Sequence, residues 1–141
     1  SQHLMSLGIP LNTDSTLKGQ TVFLAERCGE LMYDDIITDR TIIDVMAFTQ
    51  NAKSIPYQDK DKFIEYAKEF IREYDYIFYI SPEGLPIEDN GVRETDEHYR
   101  DVIDFTITSF IRKYAYMMKN IETIKGTTEE RIQQILNITD L

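Results

Sequence analysis

Apolar positions along this chain follow two rhythms, one helical and one strand-like. Gly8-Ile9-Pro10 and Asn12-Thr13-Asp14 read as a loop. Asp14 or Ser15 then caps a predicted helix running to about Tyr33, with Leu17, Phe23, Leu24, Leu31 and Met32 among its apolar positions and Gly29 as a weak point. After the turn at Asp34-Asp35, Ile36-Ile37-Thr38 predicts a short β-branched strand, and Asp39-Arg40 sits at its carboxyl end. A helix resumes at Thr41, with Ile42, Ile43, Val45, Met46 and Phe48 inward or partly so, until Ser54-Ile55-Pro56 breaks it.

From Asp59 to about Glu73 the spacing of Phe63, Ile64, Ala67, Phe70 and Ile71 predicts an amphipathic helix. Tyr76 to Ile80 is an unbroken apolar run, the pattern of a strand buried on both faces, and Ser81-Pro82-Glu83-Gly84 ends it. Residues 84 to 95 are polar and interrupted by glycine and proline, which predicts a mobile loop. A long helix follows from Asp96 to about Met118, capped by Thr95, then a third strand at Ile121–Ile124. Thr127-Thr128-Glu129-Glu130 reads as a capping box for a last helix carrying Ile132, Ile135 and Leu136. Alternating helices and strands argue for an α/β fold whose three strands run parallel. Ligands of such sheets bind beyond the strands' carboxyl ends. Asp39-Arg40, the loop from Ser81, and Gly126-Thr127 all fall there.

Composition narrows the picture. A length of 141 residues suits one domain, 1–141, and 42% hydrophobic residues supply a real core. The net charge of −10, with scattered Lys and Arg, argues against binding a nucleic-acid polymer but leaves room for a small phosphate ligand. Cys28 is the single cysteine, so no internal disulfide and no Cys-rich metal cluster is available, and a reducing, cytoplasmic setting fits. No apolar run approaches a membrane span, so no membrane is expected. Ser1-Gln2-His3-Leu4-Met5 is not a signal peptide and does not begin with Met, as in a processed chain or one cut from something longer.

The candidate chemistry is sparse. Asp at a strand end holds Mg²⁺ through water or accepts a proton, and the planar fork of Arg fits a phosphate, so Asp39 and Arg40 come first. The plain alternative is an exposed ion pair. Arg93 and Arg100, in and just after the mobile loop, could stabilise charge on a transferring phosphoryl group. Their acidic neighbours, among them Glu94, Glu97 and Asp101, offer ordinary pairing instead. Gly126-Thr127 permits close approach of backbone to a nucleotide, although a helix cap already accounts for it. His98 reads as a solvent-exposed residue at a helix start. No H-x-x-x-H or G-x-S-x-G motif supports a zinc or serine hydrolase. The phosphate-binding G-x-x-x-x-G-K-S/T is also missing.

Four segments carry a family resemblance. Tyr33 to Thr49 (YDDIITDRTIIDVMAFT) resembles the strand and Asp-Arg segment of P-loop nucleotide kinases, closest to the phage and bacterial AAA-domain kinases near thymidylate and nicotinamide-riboside kinases. Tyr74 to Glu83 (YDYIFYISPE) is similar to their next strand, Ile87 to Arg100 (IEDNGVRETDEHYR) to their lid, and Ile124 to Ile132 (IKGTTEERI) to their final strand-to-helix turn. The resemblance spans about residues 8 to 136. It implies a three-layer, parallel-sheet P-loop NTPase fold with a lid at about 83–98. It implies ATP and Mg²⁺ as cofactors, a small nucleotide or nucleoside as partner, and a homodimer. Asp39 would position Mg²⁺ or the acceptor hydroxyl, Arg40 would bind the acceptor or a transferring phosphate, and Arg93 and Arg100 would be lid arginines. Gly126 and Thr127 would lie beside the nucleoside part of ATP.

The chain departs from the family at its start. The first strand, P-loop, first helix and second strand of such kinases would precede Ser1, and the P-loop strand would lie between the Asp-Arg strand and the strand at Tyr76. Without it two buried strands would lose backbone partners. The expectation is therefore a fragment of a longer kinase-like domain rather than a loop-less relative. The leading functional expectation is ATP-dependent phosphoryl transfer to a nucleotide, nucleoside or similar metabolite. An ATPase switch in a regulatory or defence assembly and a non-catalytic interaction module stay open beside it.

Overall fold

The computed structural model describes residues 8–82 and 97–141. After a 3-10 turn at Asn12–Asp14 come helices α1 (Leu17–Glu30), α2 (Ile42–Gln50) and α3 (Tyr57–Ala67), the last continued by a 3-10 segment, Lys68–Glu73. Strand β1 (Ile77–Ile80), helix α4 (Glu97–Lys113), a 3-10 turn at Ala115–Met117, strand β2 (Ile121–Ile124) and helix α5 (Thr128–Thr139) complete the order.

Helix α2 is the centre of the core. Its sequence is apolar nearly all round, and such a helix must be buried on every side. Ile42, Ile43, Val45, Met46 and Ala47 are all buried, and α1, α3 and α4 each pack against it. Two polar ties lock that packing. Gln20 Nε2 donates to Thr49 Oγ1 at 3.0 Å and to the Val45 carbonyl at 3.3 Å, joining α1 to α2. Asn51 Nδ2 donates to Thr106 Oγ1 at 3.0 Å, joining the end of α2 to α4. Buried amides need such partners, because an unpaired one costs roughly 1–3 kcal/mol.

The sheet is small. β1 and β2 pair in parallel, with Ile77 opposite Ile121 and Ile80 opposite Ile124. Parallel neighbours need a crossover, and α4 supplies it. Side chains alternate between faces along each strand. Ile77 and Ile121 pack into the helical core, and the Tyr79 hydroxyl donates to Asp104 of α4. Phe78, Ile80 and the fully buried Ile124 point the other way, and α5 packs against β2. The architecture is thus α/β, with four helices gathered around one face of a two-stranded parallel sheet.

Several boundaries and one element differ from expectation. Thr16, not Asp14 or Ser15, caps α1, its Oγ1 accepting from the Gly19 N–H at 3.0 Å. The helix ends at Glu30 instead of Tyr33. Ile36-Ile37-Thr38 is not a strand, so Asp39 and Arg40 do not stand at a strand's carboxyl end. Ile37 is 86% exposed. The run is three residues long, begins just after Asp35 at a φ of 54°, and has no described strand beside it. β-branched residues gain from a sheet only through cross-strand and facial packing, and among the described residues no strand offers either to this run. The described residues therefore contain two strands, not three. The segment read as a lid at about 83–98 lies outside the described residues as far as residue 96, as does Thr95; Glu97 and His98 open α4.

Candidate functional site

The loop between α1 and α2 carries Asp39 and Arg40, and both are exposed. Arg27, in the last turn of α1, anchors this loop from below. Its Nη1 donates to the Asp39 carbonyl at 3.4 Å. Its other edges meet Glu26 Oε1 at 3.0 Å and Glu30 Oε1 at 2.9 Å, the latter a charge contact rather than an aligned hydrogen bond. Thr38 Oγ1 donates to the Arg40 carbonyl at 2.9 Å. Arg40 itself adopts a φ of 103°, a left-handed conformation that a side chain with a Cβ rarely takes. Strain of this kind persists only where surrounding contacts over-determine the backbone.

The contacts that hold it are those of the α2 start. Thr41 caps the helix: its Oγ1 accepts from the Ile43 N–H at 3.0 Å, and its own N–H donates to Asp44 Oδ2 at 2.8 Å. The Ile42 N–H donates to the Tyr74 hydroxyl oxygen at 3.0 Å. The first amides of α2 are thereby consumed, so this helix start is closed to an outside anion despite its dipole. Burial pushes the Asp44 carboxyl up from its usual range, opposed by the Thr41 N–H and the Arg40 charge and reinforced by Asp39. Burial also pushes the Tyr74 hydroxyl up to about 12, against the Ile42 N–H that stabilises its anion. Tyr74 is therefore a fixed acceptor at neutral pH, not an acid.

The Arg40 guanidinium lies over the ring of Phe48, 5.6 Å from its centroid. Among the described residues no carboxylate stands within ion-pair distance of it. Phe48 leans in turn on Tyr99, with ring centroids 6.5 Å apart and planes inclined by 35°. Tyr99 belongs to the first turn of α4 and precedes the half-buried Arg100. The fold thus links Arg40, through the Phe48 ring, to Tyr99 at the start of α4. The sequence marks Phe48 as inward or partly inward and singles out neither Tyr99 nor Arg27; their roles depend on which helices meet, and no local motif announces that.

Arg93 lies outside the described residues. Gly126 and Thr127 follow β2 and cap α5: Thr127 Oγ1 accepts from the Glu130 N–H at 3.2 Å, and the Thr127 N–H donates to Glu130 Oε1 at 3.1 Å. Gly126 has a φ of 102°, and a Cβ there would meet Glu130 at 3.1 Å. The positive φ and the nearby Glu130 side chain both favour a glycine here. A cavity of about 340 Å³ opens between α3 and the end of α4, lined by Gln50, Asp61, Glu65, Phe110, Lys113 and Tyr114 among others. It contains none of the candidate residues.

Two tests of fit bear on the implied cofactors. Among the described residues no group of three or more His, Cys, Asp or Glu is placed to hold a metal. Mg²⁺ commonly takes one or two carboxylates and completes its shell with phosphates and water, so Asp39 alone is a partial donor set. The sequence holds no G-x-x-x-x-G-K-S/T motif, and the Thr127 N–H and Oγ1 are spent on a cap. The Arg40 guanidinium has the fork chemistry that fits a single oxyanion, whereas a nucleoside triphosphate would need further donors beside it. Among the described residues no helix is long and apolar enough to cross a membrane. No family model, no curated protein and no solved structure matches this chain.

Proposed function

We propose that this chain belongs to a nucleotide-kinase-like domain that moves a phosphoryl group from ATP to a nucleotide, nucleoside or similar small metabolite. The observation that carries the reading is the Arg40 guanidinium: exposed, fixed over an aromatic ring, and without a carboxylate partner among the described residues. A guanidinium so placed offers its N–H fork to a phosphate of the acceptor or to the group in transfer. Asp39 next to it supplies a carboxylate for a water-bridged Mg²⁺ or for the acceptor hydroxyl proton. Arg100, in the first turn of α4, is the second cation of the site. The reading also needs a triphosphate cradle, for which the sequence offers no G-x-x-x-x-G-K-S/T motif.

The test is transfer of labelled γ-phosphate from MgATP to a panel of nucleosides, monophosphates and ribosides by the full-length protein. The Arg40→Ala, Arg100→Ala double variant is expected to lose about a hundred-fold or more in kcat/KM, the scale for removing fixed charge from a developing anion. Wild-type turnover by that variant would remove both residues from the site. Water as the sole acceptor would favour an ATPase switch.

A second reading, a non-catalytic interaction module, draws on an exposed apolar stretch. Met32, Tyr33, Ile36 and Ile37 are 85%, 70%, 42% and 86% exposed, more than an isolated surface residue needs explaining. Saturable MgATP binding counts against it.

A further inference from the structure

An exposed arginine beside two aspartates ordinarily pairs with one of them. Here neither pair forms among the described residues. The Asp44 carboxylate is drawn inward to the Thr41 N–H at 2.8 Å, and the Asp39 carboxylate stands outside ion-pair distance of Arg40, its backbone carbonyl accepting from Arg27 at 3.4 Å. The Arg40 guanidinium turns instead to a ring, at 5.6 Å from the Phe48 centroid, within the range of a cation–π contact. That ring stands two helical turns into α2 and is itself backed by Tyr99, whose ring lies 6.5 Å away. The left-handed backbone at Arg40 and the Thr38 bond to its carbonyl fix the other end of the side chain. A cation held through its flat face keeps its N–H edge available, whereas one held by a carboxylate does not.

We infer that Phe48 is a positioning residue: its ring holds the Arg40 guanidinium edge-outward, preorganised to receive a phosphate-type oxyanion beside the first turn of α4. This rests on the reading of Arg40 as a phosphate ligand and adds the group that aims it. Preorganisation of this kind strengthens binding by reducing the freedom lost when the anion arrives. The effect should follow the ring's electron-rich face and not its bulk, so Tyr should replace Phe while Leu should not.

The experiment measures binding of inorganic pyrophosphate to the full-length protein by titration calorimetry at low salt. The variants are Arg40→Ala, Phe48→Leu, Phe48→Tyr and the Arg40→Ala, Phe48→Leu pair. In parallel, the Arg40 side-chain Hε resonance is followed by NMR for the ring-current shift a face-on aromatic imposes. The expected result is that Arg40→Ala abolishes the titration. Phe48→Leu should weaken it roughly two- to five-fold, the worth of an exposed cation–π contact. Phe48→Tyr should restore it, and the pair should behave as Arg40→Ala alone. The Hε shift should disappear in Phe48→Leu and survive in Phe48→Tyr. Loss of binding in Arg40→Ala with full binding in Phe48→Leu overturns this inference and leaves the phosphate role of Arg40 standing. An Hε resonance unmoved by Phe48→Leu overturns it as well. No titration by the unaltered protein, or equal binding by Arg40→Ala, overturns both.

Discussion

Asp44 does three jobs at one position, and their balance sets how it titrates. It closes the capping box on Thr41, it sits inside the protein, and it feels Arg40 and Asp39 from opposite signs. Burial dominates, so its folded pKa lies above the ordinary value of 3.8. A carboxylate raised in this way binds its proton more tightly folded than unfolded. Its contribution to stability is therefore greatest at low pH and falls as pH rises from 3.8 through the folded value. Asn at this position keeps an oxygen for the Thr41 N–H and removes the charge. Urea unfolding of wild type and Asp44→Asn at pH 4, 5, 6 and 7 should show the variant gaining on the wild type as pH rises. A stability difference that is flat with pH, or that moves the other way, would place the carboxyl in a more polar setting than the one described. Arg40 is the other residue where the local cost is evident, with its φ of 103°, and it is also the cation that lies over the Phe48 ring.

Elements reveal which apolar runs found partners. Ile36-Ile37-Thr38 and Ile77-Phe78-Tyr79-Ile80 have similar β-forming composition, yet one is exposed coil and the other a strand. The difference lies 44 residues along the chain, where Ile121–Ile124 provides a ladder for the second run alone. Substitution energies should divide accordingly. Ile42, fully buried at the start of α2, should cost about 2–5 kcal/mol on truncation to Ala. Ile37→Ser, at a site 86% exposed, should change stability by no more than about 0.5 kcal/mol. Thermal or urea unfolding of the two variants checks both. A large loss at Ile37 would mean that the loop is covered in the folded protein. The helix ends were more readily foreseen: the Thr127–Glu130 capping box is present as the T-T-E-E spacing demands, because a cap is a purely local arrangement. Thr16 took the cap of α1 from Asp14 and Ser15 because the chain spends Asn12–Asp14 on a 3-10 turn first.

At the scale of the molecule, packing is uneven. The helices around α2 share a continuous core with Leu24, Ile42, Met46, Phe63, Ile71, Ile103 and Phe110, whereas α5 has no buried residue. Its ties to the rest are contacts with β2 and the Gln134 side chain, whose Nε2 donates to the Lys125 carbonyl at 2.7 Å and whose Oε1 accepts from the Lys125 N–H at 3.3 Å. Regions with few buried apolar contacts open at lower free energy than the core. Native-state hydrogen exchange should therefore show amides of α5 exchanging first, those of β1 and β2 next, and those of α2 only on global unfolding. Equal protection of α5 and α2 would require a covering surface that the described residues lack.

Sequence by itself determined what depends on neighbours in the chain. It set the apolar helix resuming at Thr41, the strand-forming runs at Tyr76–Ile80 and Ile121–Ile124, and the cap at Thr127. It also singled out Asp39-Arg40, on the expectation of a strand end that the structure does not show. Tertiary structure alone decided that Ile36-Ile37-Thr38 would stay unpaired, that the amides opening α2 would be consumed by Thr41, Asp44 and Tyr74, and that Arg40 would face Phe48 instead of an acid. The physical reason is one of range. Periodicity and capping act over one or two turns of backbone, while pairing, desolvation and ring contacts depend on segments brought together from tens of residues away.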